Sequence, residues 1–406
     1  MSTTADPGPG GEPFRFGMLF NDTRYRAYTF QFIALILLIL GIGYLVANLV
    51  ANLAAAGLNI SWNYLGEPAG YDINQRPIAY DSQSSHWRAT QVGAINTLIV
   101  AFLACVSATV LGVIAGVLRL SNNWVVSKLM SVYVEAFRNV PVLIWILIIF
   151  LAMSNALPQP RAFRGDNATS SMWFDAIAFT NRGVYIPSFV NGAGSLVFWL
   201  VILASIIGVF VYRRYARNLL YSTGRMLPTG WPSLLILIVP GLLMYFILGR
   251  PVGLEYPELK GFNFRGGIHL RLSLIALWFA LAIYTGAFIA ENVRAGIQAI
   301  SKGQTEAAGA LGLRPGRIMN LVVLPQALRV IIPPLISQYL NITKNSSLAI
   351  AVGYMDITGT LGGITLNQTG RAIECILLLM LFYLTVSLTI SFVMNIYNNS
   401  VKLKER

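Results

Sequence analysis

Long apolar runs separated by shorter polar stretches set the pattern of this 406-residue chain. A helix that crosses a lipid bilayer needs about 20 mostly apolar residues. By that criterion the pattern predicts an all-α polytopic membrane protein with about eight transmembrane helices. Their expected bounds are 28–50, 93–118, 133–153, 195–212, 233–249, 272–293, 328–352 and 374–397. The seventh run is the least regular, because Pro333, Pro334, Lys344 and Asn345 interrupt it.

The two ends of the chain lack such runs. Residues 1–27 form a tail that starts Pro- and Gly-rich, and we expect no fixed structure at its start. The first apolar run begins too late and is too long for the apolar segment of a cleaved signal peptide. Residues 28–91 are therefore expected to hold the first transmembrane helix and a loop. Residues 398–406 form a short polar tail.

Composition agrees with the membrane prediction. Hydrophobic residues make up 56% of the chain and charged residues only 11%, whereas soluble domains average about 25% charged residues. The net charge of +13 could indicate a nucleic-acid partner, but the arginines lie in short loops between apolar runs. Membrane topology explains them better, so no nucleic-acid partner is expected. Cys105 and Cys375 fall inside apolar runs, and His86 and His269 are far apart, so no metal site is predicted.

Basic residues predict the orientation of the helices. If the N-terminus is cytoplasmic, the inside segments carry 16 Lys and Arg residues and the outside segments carry 10. The outside loops are longer in total, so the difference in density is larger still. Basic residues concentrate in cytoplasmic loops. Both termini are therefore expected in the cytoplasm, together with the loop 294–327.

That loop has the residues of a short helical hairpin. Ser301 and Gln304 have the spacing of a capping box at a helix start. Gly312 is placed to end this helix, and Pro315 can occupy the first turn of a second one. Pro325 is expected to end or kink that second helix. The first helix is rich in alanine, so its surface allows another backbone to approach closely.

The spacing within the hairpin is specific. The letters EAA at 306–308 are followed by three residues and Gly312, and nine more residues lead to VVLP at 322–325. This stretch resembles the EAA loop of binding-protein-dependent ABC importer permeases, with Val322 in place of isoleucine. The resemblance implies a coupling helix that docks on a separate ATPase subunit. The residues it assigns to coupling are Glu306, Ala307, Ala308, Gly312 and Pro325.

The resemblance extends over residues 92–397. The letters NTL at 96–98, the segment that starts "YVEAFRNVPV" at Tyr133 and the segment that starts "YTGAFIAENV" at Tyr284 are similar to the polar-amino-acid branch of these permeases. This implies a type I ABC importer permease core, here with a two-helix insertion at 154–269. Such a long permease resembles the general L-amino-acid importer group. The expected partners are a second, non-identical permease, ATPase subunits and an external solute-binding protein in a bacterial inner membrane.

The sequence lacks a Walker A motif for ATP. A phosphate-binding loop needs a Gly-Lys pair, and glycine precedes none of the six lysines. No nucleophile-and-base set is visible either, so we expect no enzymatic activity and no cofactor on this chain, with ATP and Mg on the partner ATPase. The alternative is a secondary transporter or channel. The single broken span, the lack of a clear repeat and the loop motif argue against it.

A polar run in the seventh span is a candidate substrate path. Burying many polar groups against lipid is costly, so these side chains should face protein or a water-filled cavity. A lysine could attract the carboxylate of an L-amino-acid substrate, and the amides and hydroxyls could bind its ammonium group. The residues are Asn341, Thr343, Lys344, Asn345 and Ser346. In the alternative interpretation, Lys344 only reaches the membrane interface or holds the fold through a neighbouring residue.

Overall fold

The computed structural model describes residues 18–401 except 22, 56, 58, 59, 166 and 167, and it contains two compact units. The first unit, Met1–Asn63, holds helices α1 (Met18–Asn21) and α2 (Thr23–Ala55). The predicted span 28–50 lies inside α2, and the apolar side chains of α2 are largely exposed. The predictions for the start of the N-terminal tail and for residues 402–406 lie outside the described residues.

The second unit, Tyr64–Arg406, carries the other described α-helices, both long and short. These are α3 (His86–Leu118), α4 (Trp124–Arg138), α5 (Val142–Ala156), α6 (Ser195–Thr223), α7 (Gly230–Ile247), α8 (Leu272–Gln298), α9 (Lys302–Ala310), α10 (Pro315–Ile318), α11 (Leu324–Asn345), α12 (Leu366–Thr369) and α13 (Ala372–Val401). Across both units, the described residues include eight helical segments long and apolar enough to cross a membrane. This confirms the predicted number of spans and the mostly helical fold.

The third predicted span, 133–153, has the wrong bounds. The structure divides it between α4, which ends at Arg138, and α5, which begins at Val142. Pro141 has no backbone N–H, and a proline disfavours helical geometry in the residue before it. Apolar residues lie on both sides of the break, and the predicted span ran across the polar pair Arg138-Asn139 that marks it.

Seven short strands accompany the helices of the insertion. The strands are β1 (Ala178–Thr180), β2 (Gly183–Ile186), β3 (Ser188–Asn191), β4 (Val252–Glu255), β5 (Glu258–Lys260), β6 (Asn263–Arg265) and β7 (Ile268–Arg271). They form three antiparallel sheets with the orders β1-β2-β7, β3-β4 and β5-β6. In the first sheet Tyr185 pairs with His269, and their rings stack 4.1 Å apart. The insertion is therefore a helical hairpin, α6–α7, with a small β-structure at the end where α6 begins.

The centre of the second unit is the close packing of α3 against α8. Their contact is made by small residues, as is usual where membrane helices approach closely. A Cβ added at Gly112 would lie 2.5 Å from Cβ of Ile289, and one at Gly116 would lie 2.7 Å from the carbonyl oxygen of Ala290. Ala104 and Ala108 continue the same face of α3 and are fully buried. No larger side chain fits along this line unless the helices separate.

The chain stays helical across all three prolines of the seventh span. Pro325 does not end the helix: a π-helical turn at Met319–Val323 leads directly into α11. Pro333 and Pro334 lie within α11, and a 3₁₀ turn, Ser346–Val352, follows it. The predicted seventh span, 328–352, is thus the later part of one helical segment, Pro315–Val352, whose first residues belong to the hairpin loop.

Candidate functional site

The predicted hairpin is present, and its turn has a regular geometry. α9 ends in a Schellman motif, in which the N–H of Leu313 donates to the carbonyl of Ala308 at 3.3 Å and that of Gly312 to Gly309 at 2.9 Å. Gly312 has a φ of +78°, as predicted for a glycine that ends a helix. Pro315 begins α10. The capping box is wrong: Ser301 occupies the N-cap position, but its side chain makes no capping hydrogen bond.

The residues assigned to coupling divide between an open surface and the hairpin interior. Glu306, Ala307 and Gly312 are exposed, whereas Ala308 is buried. Leu311, next to Gly312, is 83% exposed, which makes it an apolar side chain at the tip that sequence analysis did not single out. The fifth assigned residue, Pro325, lies at the start of α11 and away from this tip. The tip of the hairpin therefore exposes small residues and one leucine beside Glu306.

The hairpin is attached directly to two packed helices. Residues 299–301 join α8 to α9, and the π-helical turn joins α10 to α11. The side chains of Gln326 and Gln304 approach to 3.5 Å. A Cβ added at Gly296 of α8 would lie 2.3 Å from Cγ1 of Ile331 in α11, so the two helices touch without space between them. The hairpin is thus joined through the chain to two helices that are in close contact.

An ion-pair cluster lies near the hairpin end of α8. Glu291 accepts hydrogen bonds from Arg119, at the end of α3, and from Nη2 of Arg294 at 2.5 Å. Nη1 of Arg138, the last residue of α4, is 4.0 Å from the same carboxylate. One carboxylate thus joins α3, α4 and α8. Sequence analysis missed this cluster, although a lone acidic residue inside an apolar helix is a recognisable signal.

A small polar cavity lies between α8 and α11. Its volume is about 290 Å³, and it is lined by Tyr284, Thr285, Phe288, Gln338, Asn341 and Asn345. The α8 residues of this lining fall at the middle of a 27-residue helix, so the cavity sits at mid-height of the span. Arg138 lies beside it, with Cζ 5.3 Å from the centre of the Phe288 ring.

The structure brings only two of the five predicted path residues together. Asn341 and Asn345 are one helical turn apart and both line the cavity. Thr343 and Ser346 are fully buried, and their hydroxyls donate to the carbonyls of Tyr339 and Thr343. Lys344 is exposed and is not among the lining residues. The other four lining residues were not predicted as path residues: Tyr284, Thr285, Phe288 and Gln338.

A buried carboxylate lies between the last two spans. Asp356 is fully buried, and its Oδ1 accepts a hydrogen bond from the N–H of Gly359 at 2.8 Å. The next residue, Ile357, donates its N–H to Oγ1 of Thr97 in α3. Burial raises the pKa of the Asp356 carboxyl to about 6. This segment is tied to α3 at a further point, where the Tyr354 hydroxyl donates to the carbonyl of Asn96.

Two overlapping stretches of the chain, 108–227 and 200–403, match the family described as "Binding-protein-dependent transport system inner membrane component". The chain belongs to this family. The resemblance carried by the hairpin and the type I permease fold are thereby confirmed. This permease is a multi-pass membrane protein of a transport system, and its family is one of transport permeases, not of ATPases.

Relatives of this permease are similar over the whole chain. It is 50% identical to the glutamate/glutamine/aspartate/asparagine transport system permease protein BztB of Rhodobacter capsulatus, and the alignment covers 100% of both chains. It is 44% identical to the putative amino-acid ABC transporter permease protein YhdX of Escherichia coli, over 95% of this chain and 97% of that one. It is 39% identical to the general L-amino acid transport system permease protein AapQ of Rhizobium johnstonii, over 100% and 99%.

Proposed function

We propose that this permease is one subunit of an ATP-driven importer that moves L-amino acids across a bacterial inner membrane. The observation that carries the proposal is its full-length similarity to permeases named for glutamate, glutamine, aspartate, asparagine and general L-amino-acid transport. Separate subunits would bind ATP and Mg, an external solute-binding protein would deliver the substrate, and both termini would lie in the cytoplasm.

The proposal is tested by uptake of radiolabelled glutamate and leucine into vesicles that contain the reconstituted complex. Uptake should require internal ATP and the binding protein, and it should persist when a protonophore removes the proton gradient. Uptake that needs the gradient but not ATP would instead indicate a secondary transporter. The second permease is expected to be a different chain. Purification of a functional complex in which this chain is the sole permease would contradict that part.

The hairpin around Gly312 would be the coupling element. A Cβ at Gly312 meets no atom within 4 Å, so a larger residue there projects towards a partner rather than into the permease. We expect Gly312→Asp and Glu306→Lys to lower ATP-driven uptake at least tenfold while the protein still inserts. Gly224→Asn is the matched control, because Gly224 also has a positive φ and open surroundings, at the end of α6. Normal uptake by both hairpin variants would contradict the coupling role.

The cavity between α8 and α11 would be part of the substrate path. Amide side chains both donate and accept hydrogen bonds, so Asn341 and Asn345 can bind the carboxylate or the ammonium group that every amino acid carries. We expect Asn341→Leu and Asn345→Leu to lower uptake of several amino acids together. Asn155→Leu is the control, because Asn155 is exposed and bonds only within α5. Unchanged uptake of acidic, neutral and basic amino acids by both cavity variants would refute this role.

Lys344 needs a separate test, because it is exposed and does not line the cavity. If it attracts the substrate carboxylate at the cavity entrance, Lys344→Ala should lower uptake and Lys344→Arg should restore it. Unchanged uptake by Lys344→Ala would leave the lysine outside the path, while the role of Asn341 and Asn345 would still be decided by their own variants.

A further inference from the structure

Four arginines lie where α6 ends and turns into α7. Their positions are Arg213, Arg214 and Arg217 in the last turns of α6, and Arg225 just after its terminal Gly224. The chain has no Asp or Glu between residues 176 and 254. None of the four arginines makes an ion pair with any residue that the structure describes. We call these residues the arginine cluster.

The arginine cluster is exposed and partly fixed in place. Nε of Arg213 donates to Oγ of Ser233 in α7 at 3.3 Å, which directs this side chain towards the groove between the two helices. The Tyr212 hydroxyl donates to the carbonyl of Pro228 and holds the turn against α6. Arg217 follows Arg213 by one helical turn on the same face. Like charges at this spacing repel each other, so the arrangement favours a bound anion.

Exposed aromatic and apolar side chains lie close to the cluster along the chain. Tyr221 is 81% exposed, Trp231 76% and Met226 85%. α6 has 29 residues, which is more than the roughly 20 that cross the apolar part of a bilayer, so its arginine-bearing last turns reach the headgroup region. Tyrosine and tryptophan are enriched at that level of a membrane. The β3–β4 sheet lies at the other end of the α6–α7 hairpin. The arginine cluster and this sheet are therefore at opposite faces of the membrane.

We propose that the arginine cluster binds the headgroup of an anionic phospholipid, with the acyl chains running along the α6–α7 hairpin. Guanidinium groups pair with phosphate oxygens through two parallel hydrogen bonds, and basic pockets between membrane helices accept such headgroups. The positive-inside bias accounts for arginines on one side of the membrane. It does not account for four of them around one helix pair without a single acidic partner, beside exposed aromatic rings.

The experiment compares phosphatidylglycerol with phosphatidylcholine by native mass spectrometry of the full-length chain in its purified complex. The wild type should retain phosphatidylglycerol at least tenfold better than phosphatidylcholine. In Arg213→Gln/Arg217→Gln the affinity for phosphatidylglycerol should fall about 30-fold, from the usual contribution of each basic side chain near an anionic surface. Arg213→Lys/Arg217→Lys should keep most of the preference. Arg250→Gln/Arg265→Gln, a pair of exposed arginines at the β-structure end of the α6–α7 hairpin, should bind lipid like the wild type.

Four results would overturn the proposal. One is equal retention of both lipids by the wild type, a measurement that decides the matter even if the double variant fails to insert. A second is unchanged affinity for phosphatidylglycerol in Arg213→Gln/Arg217→Gln. Binding of inorganic phosphate with the same affinity as the lipid would also overturn the proposal. The aromatic rings and the surface of the α6–α7 hairpin would then contribute nothing to lipid binding. Retention of an acidic protein in place of the lipid would assign the cluster to a protein partner.

Discussion

Glu291 offers the sharpest test of how the permease is held together near the hairpin. Its carboxylate faces Arg119, Arg138 and Arg294, which come from three helices. Glu291→Gln keeps the size of the side chain and removes its charge. Three guanidinium groups would then face one another without a counter-ion, and the ends of α3, α4 and α8 should separate.

The magnitude follows from the burial of the cluster. The Glu291 side chain is 23% exposed, and those of Arg119 and Arg138 are 11% and 34% exposed. Breaking a buried ion pair costs about 3–5 kcal/mol, whereas an exposed pair contributes about 1 kcal/mol or less. The cluster lies between these limits and nearer the buried one, so we expect a loss of about 2–3 kcal/mol in the free energy of unfolding. The midpoint of thermal unfolding should fall by about 5 °C.

Thermal unfolding of the detergent-solubilised protein measures this effect. Arg119→Gln and the double variant Glu291→Gln/Arg119→Gln complete a double-mutant cycle, in which the double variant should lose less than the sum of the single losses. Glu258→Gln is the control, because its ion pair with Lys260 is more than half exposed on both sides. A midpoint for Glu291→Gln within 1 °C of that of Glu258→Gln would refute the reasoning, and so would strict additivity in the cycle.

Two further predictions concern buried positions. Gly112→Leu should lower the midpoint strongly, because its Cβ would overlap Ile289, whereas Gly41→Leu in α2, where a Cβ meets no atom within 4 Å, should change it little. The carboxyl of Asp356 has a pKa of about 6 in the folded state against 3.8 for the free group, so its protonated form favours folding. The carboxyl contributes about 3 kcal/mol to the free energy of unfolding below pH 4. This contribution is lost as the pH rises through 6. Asp356→Asn should therefore unfold at a midpoint that changes less between pH 4.5 and 7.5 than that of the wild type; equal pH dependence would contradict this.

Features that depend on local chemistry were predictable. Gly312 and Pro315 have conformational preferences that few other residues share, so the sequence indicated where α9 ends and where α10 begins. The number of spans follows from the length of the apolar runs. The break at Pro141 was missed because apolar residues lie on both sides of it, although Arg138, Asn139 and Pro141 mark it in the sequence. The strands were missed because runs of three or four residues carry too few positions to show alternation.

Features that depend on contacts between distant segments were not predictable in the same way. The partners of Glu291 lie up to 172 residues away, and nothing local in the sequence indicates that they meet. The polar run of α11 is an intermediate case. Residues four apart share a helix face, so Asn341 and Asn345 could have been separated from Thr343 by periodicity alone. The sequence prediction placed the whole polar run on one surface, although the helical period divides it between two faces.

The position of the cavity constrains how coupling can work. It lies between α8 and α11, and these helices meet at Gly296 and Ile331 with no room for even one methyl group. The α9–α10 hairpin connects the end of α8 to the start of α11. Near the same end of α8, Glu291 links this helix to α3 and α4 through its ion pairs. Close-packed contacts of this kind do not compress gradually. We therefore expect a push on the hairpin to move α3, α4, α8 and α11 as one body, with the cavity carried along intact. If the complex contains the proposed second permease, access to the cavity would then change by rocking of one subunit against the other, and not by separation of α8 from α11.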